Sequence, residues 1–105
     1  MTRGEIWMFG FRAPDKDRPV LVLTRSDMIG VLDTVTVAPL TRTLRGVSSE
    51  VLVGPECGLK GPSAVNLHNL VTIPTSGLRR FIGTVPPAVL FQVRAALLFA
   101  LGFEP

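Results

Sequence analysis

At 105 residues the chain has room for one hydrophobic core and not for two independent ones, so residues 1–105 read as a single domain. Apolar residues make up 47% and charged residues 18%, which excludes an intrinsically disordered segment, because disorder needs low hydrophobicity and high charge. Eleven Lys and Arg against eight Asp and Glu give +3, a mild basic bias that suits a polyanionic partner without calling for one.

In chain order, residues 4–9 make a first strand candidate, followed by a polar loop over 10–17 that carries Pro14 and four charges. Arg18 opens the second strand, since the run PVLVL at 19–23 is β-branched, apolar and too short for a helix. A turn-rich stretch at 26–32 leads to residues 33–40. There Val35 and Val37 alternate with Thr34 and Thr36, as in a half-buried strand. A loop with Arg42, Arg45 and Gly46 follows, then a strand at 50–53, a loop at 54–62, and two extended pieces at 63–67 and 70–73 that Pro74 ends. Residues 80–85 read equally as a last strand or a helix turn. Pro86 and Pro87 start a helix that runs to about Leu101, with Gly102 as its stop. Apolar residues surround most of that helix, so it must be covered on more than one side, by a second subunit or across the mouth of a curved sheet.

Cys57 is the single cysteine, which leaves no intramolecular disulfide or cysteine cluster for zinc and fits a reducing cytoplasm. The start MTRGEIW lacks the basic and apolar regions of a signal peptide. The most apolar stretch, 85–103, is interrupted by two prolines, Gln92 and Arg94, which argues against a membrane span. No glycine-rich phosphate loop, His-Glu-x-x-His helix or GxSxG elbow occurs, so no metal or cofactor site is expected. His68 is the only histidine, and it excludes an acid/base pair made of two histidines.

The segments RGEIW at 3–7, RPVLVL at 18–23, VTVAPLT at 35–41, TIP at 72–74 and IG at 82–83, in this order and spacing, resemble the MazF/PemK toxins over nearly the whole chain. The resemblance implies a mainly β fold with a C-terminal α-helix, the SH3-like barrel of the MazF/PemK/CcdB type, assembled as a homodimer with a groove for single-stranded RNA. It implies a toxin of a type II toxin-antitoxin system that cleaves RNA at a short motif without a metal or cofactor. The ribose 2′-hydroxyl attacks the neighbouring phosphorus and leaves a 2′,3′-cyclic phosphate and a 5′-hydroxyl, chemistry closed to DNA. It further implies an antitoxin partner whose acidic C-terminal segment blocks the groove, and action in the cytoplasm.

Carried over by position, the catalytic arginine of this family falls on Arg18 and the catalytic threonine on Thr41. A guanidinium stays charged at any working pH and offers a planar fork of donors to a phosphate gaining charge. A threonine hydroxyl donates a hydrogen bond well but is a poor base. The segment of Asn66, His68 and Asn69 is placed beside the RNA cleft, with Asn69 the better match to a base-reading amide; relatives often carry an acid where His68 stands. Arg12, Arg42 and Arg45 are candidate phosphate contacts on loops. The loop at 10–17 is shorter than in relatives and lacks their Glu-Gln-Gly pattern, so the cleavage motif does not transfer. A different class of function on the same fold is a non-catalytic module that poisons a DNA gyrase; it would depend on the C-terminal helix and not on Arg18 and Thr41.

Overall fold

The computed structural model describes residues 1–11 and 16–105. Seven strands are joined by short connections and followed by one helix: β1 (Glu5–Gly10), β2 (Asp17–Val22), β3 (Thr34–Thr41), β4 (Glu50–Val53), β5 (Ser63–Asn66), β6 (Val71–Pro74), β7 (Leu78–Thr84) and α1 (Pro87–Leu101). Three single 3-10 turns, at Ser26–Met28, Pro55–Cys57 and Thr75–Gly77, lie in the connections. The ambiguous segment before the helix is a strand, two residues longer at its start than expected. Its partner β1 supplies the ladder that a local pattern cannot reveal.

All pairings are antiparallel, in the order β4-β5-β3-β2-β1-β7, with β6 also pairing β3. The sheet does not close on itself by pairing of β4 with β7 among the described residues. It corresponds to the expected SH3-like barrel in being mainly β with a C-terminal helix, but it is an open form of it. No helix among the described residues is long and apolar enough to cross a membrane.

Alternation along the strands gives the sheet two apolar faces. On one, Ile6, Leu21, Ala38, Val51 and Val65 form a core with Val93 and Ala96 of α1. On the other, Val20, Val22, Val35, Val37 and Ile73 pack with Trp7, Phe9 and Phe11 at their margin. The indole N–H of Trp7 donates to Glu5 Oε1 at 2.9 Å, and its ring meets Phe81 edge-on at 5.8 Å, so Trp7 is built into the sheet and not held out to stack on a ligand.

The helix begins with Pro87, whose missing N–H is needed by no intrahelical bond. It ends at Gly102 in the left-handed conformation, where Phe103 N–H reaches back to Leu98 O at 2.8 Å. Only Val93 and Ala96 are buried on it, while Phe91, Phe99 and Leu101 face outward.

Candidate active site at the ends of β2 and β3

Strands β2 and β3 pair as Val20–Pro39, Leu21–Ala38 and Val22–Val37, and the ladder stops there. Its end has a chemical cause. Leu23 N–H bonds Thr36 O, so bonded pairs alternate through Leu21–Ala38 to Pro19 and Leu40, where Pro19 has no N–H to give and the next bond is missing. Beyond this point the strand ends are released from each other and carry Arg18 on one side and Thr41 on the other.

Arg18 and Thr41 lie two residues beyond the last β2–β3 pair, so both stand at the same end of the ladder without pairing with each other, and Thr41 pairs with Ala64 of β5. Arg18 is exposed and pairs on its other side with Phe9 of β1. It lines a shallow depression of about 210 Å3 with Phe11, Pro39 and Asn69. Thr41 is half-buried, and its Oγ1 accepts the N–H of Thr43 at 3.1 Å. The hydroxyl proton is therefore left to donate elsewhere, as toward a phosphoryl oxygen.

The next row lies on the opposite face. Pro19 pairs with Met8 and Met8 with Arg80, and the β2–β3 register places Leu40 beside Pro19. This row across four strands forms the floor of a cleft of about 260 Å3, closed by Leu59, Lys60 and Ile82 and bordered by Arg42 and Thr41. Thr41 borders this cleft, while Arg18 lines the other depression.

The wall of the cleft is set by close backbone contact. Gly58 has φ +90°, and a Cβ on it would come 2.5 Å from Ile82 O. Only glycine fits there, and the loop carrying Leu59 and Lys60 is pressed onto β7 as a result. The Arg42 guanidinium lies over Gly61 on the same loop, 3.7 Å from where a Cβ would stand.

The remaining expected site residues are distributed around these depressions. Asn69 joins Arg18, and Arg42 joins Thr41, as lining residues. Asn66 is buried, with Oδ1 accepting the His68 N–H at 3.2 Å, which makes it the brace of the β5–β6 turn. His68 is exposed and its Nδ1 lies 2.6 Å from Oγ of the buried Ser49, so one ring nitrogen is held and the other faces outward. Arg45 is exposed on the β3–β4 loop, whose Arg45 and Gly46 N–H groups both donate to Glu50 Oε1 at 3.0 Å. Arg12 lies outside the described residues.

Lys60 and Arg80 escaped the sequence reading. Their doubled neighbourhood of charge arises only when β7 pairs with β1 and the loop folds onto β7. Cys57 is buried, and burial, with Glu56 beside it, pushes its thiol up, which removes it as a nucleophile. No group of three or more His, Cys, Asp or Glu side chains able to hold a metal ion occurs among the described residues.

Residues 2–101 match the family described as PemK-like, MazF-like toxin of type II toxin-antitoxin system. The chain is 39% identical over 103 residues to a protein of Mycobacterium tuberculosis named probable endoribonuclease MazF2, covering 97% of this chain and 99% of that one. It is 51% identical over 69 residues to endoribonuclease MazF3 of the same organism, 66% of this chain and 67% of that one. Among solved structures, Mycobacterium tuberculosis toxin MazF-mt6 superposes with a TM-score of 0.89 at 38% identity, covering 96% of this chain and 99% of that one. An endoribonuclease in complex with its cognate antitoxin, from a mycobacterial species, superposes with a TM-score of 0.88 at 26% identity, over 100% of this chain and 98% of that one.

Proposed function

Because the chain belongs to the PemK-like, MazF-like family of type II toxin-antitoxin toxins, we propose that it is the toxin of such a pair, an endoribonuclease that cuts single-stranded RNA at a short motif. What supports this reading is that Arg18 and Thr41 both stand two residues past the last β2–β3 pair, at the same end of the ladder. Relatives of nearly equal length are named endoribonucleases, which favours cleavage over the gyrase-poisoning alternative.

In the proposed reaction the 2′-oxygen bonds to phosphorus and the bond to the 5′-oxygen breaks. The 2′-hydroxyl loses its proton, the 5′-oxygen gains one, and the products are a 2′,3′-cyclic phosphate and a 5′-hydroxyl. Arg18 bears on the phosphoryl oxygens, where charge builds in the transition state, with donors fixed in place beforehand. Thr41, its own oxygen already accepting from Thr43, donates its proton to the same phosphate. Neither role calls for a metal or cofactor.

Asn69, beside Arg18, is suited to a base edge. His68, Asn66, Arg42, Arg45 and Arg12 complete the proposed RNA-facing set, Asn66 through the turn it braces. The outward Phe91, Phe99 and Leu101 suit burial in a homodimer. An antitoxin with an acidic, flexible segment that folds on binding would compete with RNA for the cationic surface, in the cytoplasm where both toxin and RNA reside. The test is incubation of a long single-stranded RNA with wild-type, Arg18→Ala and Thr41→Ala proteins in EDTA. Discrete cuts ending in cyclic phosphate, absent with both variants, are expected. Intact RNA with the wild type would bring the gyrase-type module forward.

A further inference from the structure

The 260 Å3 cleft combines two chemistries that a phosphate alone does not need. Its floor and walls include the apolar Met8, Pro19, Leu40, Leu59 and Ile82. Its rim carries Arg42, Lys60 and Arg80, from three separate elements, and none of them takes part in a salt bridge among the described residues. Like charges gathered around a low-dielectric hollow repel one another until an anion arrives, and they focus the field that attracts it. An apolar slot with cations at its lip matches a nucleotide, whose ring is flat and apolar on its faces and whose phosphates lie at its ends. Pockets for drug-sized ligands start at about 300 Å3, so this cleft suits a single ring system.

We propose that this cleft seats one unstacked base of the RNA strand beside Thr41, with Arg42, Lys60 and Arg80 on the phosphates that flank that base. The proposal rests on the ribonuclease reading and adds a residue-level origin for its sequence preference. The seat is formed in advance, because Gly58 presses the Leu59–Lys60 wall onto Ile82. A base entering it meets fixed walls, which lowers the ordering cost of binding. Side chains that line it, Leu59 above all, would decide which base is accepted.

Binding is measured by fluorescence anisotropy with a labelled single-stranded oligonucleotide containing 2′-deoxyribose throughout, which no 2′-hydroxyl attack can cleave. Lys60→Ala and Arg80→Ala, both at exposed positions, are expected to weaken binding several-fold. Each should reduce the slope of log affinity against log salt by about 0.7, the loss of one phosphate contact on a single strand. An abasic site moved along the oligonucleotide is expected to cost the wild type about tenfold at one position, the scale of one stacked base. Leu59→Ser should shrink that penalty while leaving the others unchanged.

Unchanged affinity and slope in both cation variants would overturn the seat, as would an abasic profile that Leu59→Ser leaves intact. So would cation variants that lose affinity for an acidic peptide while keeping it for the oligonucleotide. Mapped RNA cuts by the wild type, scored separately, distinguish the two readings. Cutting with unaltered binding in the variants removes the seat alone, and altered binding without cutting removes the ribonuclease alone.

Discussion

Two hollows on this protein are lined by different chemistry. The one under β1, β2, β3 and β7 is rimmed by Arg42, Lys60 and Arg80 and adjoins Thr41. The other, about 380 Å3, runs along α1 between Leu23, Leu90, Phe91, Val93 and Leu97, with Arg3 and Arg94 at its margin. In that groove Arg3 is already occupied, its Nε donating to Leu23 O at 2.8 Å. The sheet side gathers cations with no salt bridge among the described residues around apolar side chains, the chemistry on which the proposed base seat rests. The helix side presents aliphatic and aromatic surface, the chemistry of the proposed homodimer face. The difference shows that net charge says little about a domain of this size, since +3 overall conceals a gathering of three cations from separate elements around one cleft.

The predictions bear on this contrast, beginning with the largest effect. Arg18→Ala should lower the RNA cleavage rate by about 100-fold or more, read in single-turnover assays. Arg18→Lys should recover little of it, because an ammonium lacks the planar fork. Gly58→Ala should lower stability by about 1–3 kcal/mol, since the residue must hold φ +90° while its Cβ meets Ile82 O. Urea unfolding measures this, and an unchanged midpoint would mean that the cleft wall is looser than its geometry implies.

Glu5→Gln should cost less, up to about 1 kcal/mol for the hydrogen bonds weakened on the helix-proximal end of β1. Burial raises the Glu5 pKa, but bonds from Trp7 and Thr2 outweigh it and hold the carboxyl below its ordinary range. A folded-state value lower than the unfolded one contributes stability above the ordinary carboxylate range, lost as pH falls through the folded value. The wild type should therefore lose slightly more stability than Glu5→Gln on acidification below that range. At the small end, Arg94→Ala, in the helix groove, should leave the salt dependence of oligonucleotide binding where it was. A drop as large as that of Lys60→Ala would erase the contrast between the two hollows.

Much of the fold was legible because its signals are local. Val35 and Val37 are buried while Thr34 is exposed and Thr36 partly so, as their alternation implied. Pro87 and Gly102 bound the helix as their backbone chemistry dictates. The strand at Leu78–Thr84 was ambiguous because its sequence LRRFIGT lacks a clean period, and only pairing with β1 selects the extended form.

The site was legible in a narrower sense. Arg18 and Thr41 were marked by family resemblance, and their common place at the end of the β2–β3 ladder, which stops before Pro19, needed the register. Lys60 and Arg80 are separated by 20 positions in the chain and meet only through the close approach of Gly58 to β7. No spacing rule encodes that kind of contact. His68 illustrates the converse. Its sequence position marked it as a site residue, but its bond to Ser49 depends on the β4–β5 pairing.

The central claim is that Arg18 and Thr41 act on one phosphate as a unit. It is tested most directly by single-turnover cleavage of one RNA by wild type, Arg18→Ala, Thr41→Ala and the double variant. Residues that act as a unit are strongly non-additive, so the double variant is predicted to be little slower than Arg18→Ala alone. A double variant whose loss equals the product of the two single losses would contradict the account.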